Sequence, residues 1–169
     1  MDSDALRALQ APIKDKYREA PGAAFITLKA EGTLDDTNIA CKVETGRALA
    51  VAGLHPATGG SGAELCSGDM LLEALVACAG VTLKAVSTAL NIPIRHGSVK
   101  AEGDLDFRGT LGVDKEAPVG FKAIRLRFDL DTDASEENLA QLLKLTERYC
   151  VVYQTIAKNP ELTVNMARA

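Results

Sequence analysis

The chain has 169 residues, 47% of them hydrophobic and 25% charged, with a formal net charge of -4. That composition suits one globular domain able to bury about 70% of its unfolded surface without a disulfide or metal staple, and it excludes disorder. Mild acidity with no Lys/Arg run, no tryptophan and only 4% aromatics exclude a nucleic-acid surface and its stacking platform.

The first residues, MDSDALRALQAPIKDK, carry acids early and no continuous apolar segment, so they do not read as a secretory signal. A cytoplasmic location follows as an expectation, and there thiols stay reduced. Cys41, Cys66, Cys78 and Cys150 are then no disulfide framework; each is a small buried hydrophobe or a redox or metal group. The spacing of Cys66 and Cys78 with His55 and His96 matches no zinc pattern, so neither metal nor cofactor is expected.

Residues 1–22 read as a helical arm, with Leu6, Leu9, Ile13 and Tyr17 on one side and Pro12 breaking or restarting the helix. From Ala23 to Gly53 the period changes to two. Residues 25–30, then Ile39, Cys41 and Val43, then residues 48–52 predict a three-stranded antiparallel meander turned at Gly32, Asp35-Asp36 and Gly46. Cys41 shares its strand face with Ile39 and Val43, which makes it structural. The stretch GLHPATGGSGAELCSG (residues 53–68) reads as an ordered loop. It lacks the Lys-Ser/Thr of a P-loop and the spacing of GxGxxG, so its glycines do not make a nucleotide site.

Residues 68–92 follow, GDMLLEALVACAGVTLKAVSTALNI, apolar nearly all round with the helical spacing of Leu71, Leu72, Leu75, Val76, Ala79, Leu83, Val86 and Leu90. Such a helix belongs at the centre of a core or inside a dimer. Asp69, Glu73 and Lys84 interrupt it, and its longest uncharged run falls short of the roughly 20 residues a bilayer needs, so no membrane is expected. Asn91 and Pro93 end it. Residues 98–107 and 121–130 predict a β-hairpin with a long tip. Ser135 caps a helix running to about Arg148, residues 150–158 form a shorter apolar helix, and Leu162, Val164 and Met166 a last strand. The order is (α)βββ-α-ββ-αα-β, a single α+β domain over residues 1–169 in which sheets wrap one hydrophobic helix.

Cys78 and Cys150 lie in those two apolar helices. GDMLLEALVACAG, followed after a hairpin by LTERYCVVYQTI, resembles the two signatures of the OsmC/Ohr family, the osmotically inducible and organic-hydroperoxide-resistance proteins. The element order is also the family's, so the resemblance covers most of the chain from Ala23 onward. It implies an intertwined homodimer with paired central helices and a thiol peroxidase acting on small organic hydroperoxides. Cys78 would be the peroxidatic cysteine and Cys150 the resolving one. Regeneration would come from a dithiol reductant, often a lipoylated protein, without metal or nucleotide. The family also uses an arginine held by a carboxylate beside the first cysteine.

Chemistry asks for such a cation independently. A free thiol with a pKa of about 8.5 is only a few per cent thiolate at neutral pH. Cys78, deep in its own helix, is out of reach of that helix's N-terminal dipole. By position Arg47 is the first choice and Arg108 the second. Arg148 faces away from Cys150 on the same helix. Asp69 stands about where the family has glutamate, yet falls on the far side of the helix from Cys78, as does Glu73. Val151-Val152-Tyr153 replaces a Pro-Val-Ser-like run after Cys150. The alternative functions are an interface pocket for a small apolar or thiol-reactive ligand without turnover, and a structural dimer with inert cysteines.

Overall fold

The computed structural model describes residues 2–20, 31–34, 40–44, 49–112 and 114–168. Around one long helix, α2 (Ser67–Ala89), stand two small sheets and the remaining helices. Among the elements that touch α2 are α1 (Ser3–Glu19), β5 (His96–Asp104), α4 (Glu136–Tyr149) and α5 (Val151–Ala157).

Pro12 does not break α1, which runs through it as one helix of 17 residues. The proline forfeits a single backbone bond, and the turns on either side carry the helix past it. Strands β1 (Glu31–Leu34), β2 (Ala40–Glu44) and β3 (Leu49–Gly53) form the expected antiparallel meander. Its first turn is not at Gly32, which pairs with Val43 inside the ladder. The strand expected over residues 25–30, the Asp35-Asp36 turn, Ile39, Gly46 and Arg47 lie outside the described residues.

The glycine-rich stretch is more regular than its composition suggested. His55 caps a 3-10 turn over Pro56–Thr58, and β4 (Leu65–Cys66) adds to β3 in parallel. Gly60 is required there: a Cβ would sit 1.7 Å from the Leu54 carbonyl oxygen.

α2 ends as read, in a Schellman turn with Asn91 at φ 55°. The amide of Ile92 bonds to the carbonyl of Ser87 (2.8 Å) and that of Asn91 to Thr88 (3.2 Å). The chain then enters β5, which pairs antiparallel with β6 (Ala123–Asp131) over nine residues. The hairpin tip carries α3 (Phe107–Thr110), because the Asp106 carboxylate accepts the Arg108 amide and turns the chain out of the strand at Phe107. On β6, Ile124, Leu126, Phe128 and Leu130 are more covered than Arg125 and Arg127 between them. The core lies where α2, α4 and this face meet: Leu83, Ile92 and Leu142, flanked by Val86, Phe128 and Leu130. Ser87 and Thr146, buried at the α2–α4 contact, satisfy their hydroxyls on the carbonyls of Lys84 and Leu142.

A further expectation needs correction. No strand forms at Leu162, Val164 and Met166, which are 84%, 92% and 100% exposed, and no strand among the described residues pairs with them. Within a single chain α2 is covered on one side only, which leaves open the expectation that it lies inside a dimer. Its buried stripe is Leu75, Ala79, Leu83 and Ser87, while Leu71, Ala74, Ala77, Val81 and Ala85 face outward, Val81 at 72% exposure. By length and composition alone α2 would pass for a membrane span, but its buried stripe packs on α4 and β5.

Candidate functional site: two thiols at a helix corner

Cys78 stands in the middle of α2, one residue before buried Ala79, at the margin between the covered and open faces. Cys150 is the single residue between α4 and α5. Its φ of -73° and ψ of 109° end one helix and cap the next. Its amide still bonds to the Thr146 carbonyl (2.9 Å), its carbonyl accepts the Gln154 amide (2.9 Å), and its sulfur accepts the Tyr153 amide (3.5 Å). The Gln154 side chain donates to the Glu147 carbonyl (2.8 Å) and ties the corner. α5 thus begins against α2 with its first amides free of helical partners.

Those amides meet Cys78. Burial pushes the Cys78 thiol up, but it is held below the ordinary thiol value by hydrogen bonds from the Val152 amide, the Cys150 thiol, the Val151 amide and Thr82. Thr82 has one hydroxyl proton, and it is given to the Cys78 carbonyl at 2.8 Å. The α5 amides and Cys150 are therefore the steadier donors. Cys150 moves the other way. Burial raises it first, the Tyr153 amide opposes that, and its hydrogen bond to Cys78 adds to the rise. The pair is polarised: the Cys78 thiol is lowered, while that of Cys150, 1% exposed, is raised and donates to it. Sequence reasoning missed these amides because it looked for a dipole only in the helix that carries Cys78. The available signal was a cysteine standing alone between two apolar helical stretches.

Among the described residues the other candidates are not brought to the thiols. Asp69 is exposed in the first turn of α2, about 13 Å along the axis from Cys78. Glu73 is exposed as well. Arg108 is held at the hairpin tip by Asp106 (2.7 Å) and Asp114 (3.3 Å) and is not among the groups acting on Cys78. The Arg108 guanidinium holds the Asp106 carboxyl down at about 2. Arg148 lies over the ring of Tyr149, 5.6 Å from its centroid. Arg47 lies outside the described residues. His55 accepts the Ala57 amide (3.0 Å) and stacks on Phe107 with centroids 4.9 Å apart, which gives it a loop-holding role. Among the described residues, no three His, Cys, Asp or Glu side chains gather around one point. Leu75, Phe121, Ile124, Leu126, Phe128 and Tyr153 are among the residues lining a cavity of about 460 Å³, whose lining includes neither cysteine.

A central apolar helix, two small sheets and a cysteine pair joined across a helix corner define an α+β protein of the OsmC fold. The sequence profile of the OsmC-like proteins matches residues 60–165, and the chain belongs to that family. Solved structures agree on the fold. An OsmC-like protein from Mycoplasma pneumoniae superposes with a TM-score of 0.65 at 16% identity, covering 79% of this chain and 89% of its own. An organic hydroperoxide resistance protein OsmC from Legionella pneumophila gives 0.62 at 18%, covering 80% and 93%. An organic hydroperoxide resistance protein from Elizabethkingia anophelis gives 0.62 at 16%, covering 80% and 91%. No curated protein matches the chain in sequence.

Proposed function

We propose that this protein is a cytoplasmic thiol peroxidase that reduces organic hydroperoxides, with Cys78 as peroxidatic and Cys150 as resolving cysteine. The observation that carries the reading is the polarised pair: a lowered Cys78 thiol that receives hydrogen bonds from Cys150 and from the start of α5. The names of the Legionella and Elizabethkingia proteins point to the same substrate class. The Cys78 thiolate attacks the outer oxygen of ROOH, the O–O bond breaks, and RO⁻ leaves as ROH after taking a proton from solvent. Cys78 is then a sulfenic acid. The Cys150 sulfur displaces its hydroxyl as water, and a Cys78–Cys150 disulfide remains for a dithiol to reduce. Stoichiometric cumene hydroperoxide should remove two titratable thiols per chain, and dihydrolipoamide should restore both. Thiols that alkylate but survive the peroxide would replace this reading with the ligand-binding one.

The open faces belong to the same proposal. Leu71, Val81, Leu162, Val164 and Met166 form more exposed apolar surface than a small monomer ordinarily carries. A second copy covering α2 would bury it in an obligate interface of more than about 2,000 Å². Asp69 can serve the thiols only from that second copy. Light scattering at micromolar concentration should return the mass of two chains; a monomer there ends the dimer proposal.

A further inference from the structure

We infer that the outer surface of the α4–α5 corner is the docking face for an acidic protein that carries the reducing dithiol. The inference rests on the peroxidase reading and adds to it the acidic surface of the reductant and the residues that meet it. Lys144, Arg148 and Lys158 surround a cavity of about 410 Å³, with Glu147, Tyr153 and Gln154 completing much of its lining. Elsewhere Arg95, Arg108, Arg125 and Arg127 are each held by a carboxylate. Among the described residues no ion pair engages Lys144, Arg148 or Lys158. Glu147 is the one carboxylate in the lining, which leaves an excess of positive charge on a chain whose net charge is -4.

The corner also has the anatomy of an interface centre. Tyr149 and Val151 are 58% and 68% exposed on either side of Cys150, and the Arg148 guanidinium lies over the Tyr149 ring. An apolar centre rich in tyrosine and arginine, rimmed by charge, is the composition of protein-binding patches rather than of a solvated corner. Cys150 itself is 1% exposed, so a reductant must approach by this corner or by the open margin of α2 beside it. A free small dithiol needs no patch for that. A protein with acidic surface is repelled by the chain as a whole, and a local cationic face both speeds its encounter and sets its orientation. The step served is a two-electron exchange. One partner thiolate opens the Cys78–Cys150 disulfide to a mixed disulfide, the second displaces it, and two protein thiols form as the partner leaves oxidised.

The test compares one dithiol in three settings. The full chain, oxidised with cumene hydroperoxide, is reduced by a lipoylated domain of net negative charge, by neutral dihydrolipoamide, or by anionic dihydrolipoate. The variant is Lys144→Glu with Arg148→Glu and Lys158→Glu, beside a neutral set with glutamine at the same positions. The rate with the domain should fall about tenfold or more in the reversed variant and less in the neutral one. With dihydrolipoamide it should stay within about twofold, and added salt should slow only the wild type with the domain. An unchanged rate with the domain overturns the docking face. So does an equal fall with dihydrolipoamide in both variants, which would make the cations structural. A fall confined to dihydrolipoate would turn the patch into a small-carboxylate pocket and also overturn it. Wild-type disulfide that dihydrolipoamide cannot reduce removes the peroxidase reading, and the docking face with it.

Discussion

Cys78→Ser is expected to reduce peroxide consumption to the uncatalysed background, and Cys150→Ser to leave a single oxidation without turnover. The two losses differ because the two sulfurs stand in different surroundings. Cys78 is the group whose thiol is lowered, and a serine hydroxyl there is neither ionised nor nucleophilic at neutral pH. At Cys150 serine keeps much of what the structure uses. Its hydroxyl can cap α5 through the Tyr153 amide and can donate to the Cys78 thiolate. The fold and the first oxidation should therefore survive. What is lost is the sulfur hydrogen-bonded to Cys78, so a Cys78 sulfenic acid then persists and climbs to the sulfinic state under excess peroxide. Mass spectrometry of the intact chain after one and after ten equivalents of peroxide reads both stages. Cys66 caps the start of α2, about 18 Å along the axis from Cys78, so Cys66→Ser should stay active; Cys41→Ser should as well. Equal loss in all four variants would mean that cysteine packing, not chemistry, had been measured.

The legible parts of this fold were those set by local pattern. The period of α2, the Ser135 cap, the alternation of β5 and β6 and the Asn91 turn are each written in a few neighbouring residues. What failed depended on partners distant in sequence. Leu162, Val164 and Met166 alternate as a strand should, but a strand needs an edge, and none among the described residues meets them. Pro12 argued for a break that the surrounding turns absorb. In the site, the cysteines were legible and the α5 amides beside Cys78 were not. Helix geometry correctly kept Asp69 and Glu73 away from Cys78. The same geometry correctly placed Cys78 beyond the dipole of its own helix, and the step from there to an arginine overlooked a second helix beginning alongside. Cysteine is a weak N-cap by sequence preference, so nothing local marked Cys150 as the residue that aims α5.

If the amides of α5 hold Cys78 down, Val151→Pro should raise the pH at which Cys78 becomes reactive while leaving the protein folded. Proline is accepted at the first position of a helix, where the amide has no helical partner to lose. It also constrains the preceding residue to extended backbone, and Cys150 already has φ -73° and ψ 109°. The change therefore removes one N–H from the Cys78 sulfur and little else, and it installs the residue that the Pro-Val-Ser-like run carries there. A hydrogen bond to a charged acceptor is worth about 1.5–3 kcal/mol. Solvent beside the partly open Cys78 screens this, so the expected upward movement is about half a unit to one unit. The sign is fixed by the reactive form. Alkylation follows the thiolate and rises with pH through the Cys78 pKa, so losing a thiolate donor moves the midpoint up and slows reaction at pH 7 by about threefold to tenfold. Val151→Ala, which keeps the amide, should leave the midpoint where it is. Arg47→Ala provides the contrast. From the sequence, Arg47 would be the cation that lowers the Cys78 thiol; if the α5 amides do this instead, Arg47→Ala should leave the alkylation midpoint where it is. A midpoint that moves in Arg47→Ala and stays fixed in Val151→Pro would return the activation of Cys78 to a cation and leave the α5 amides as structure alone.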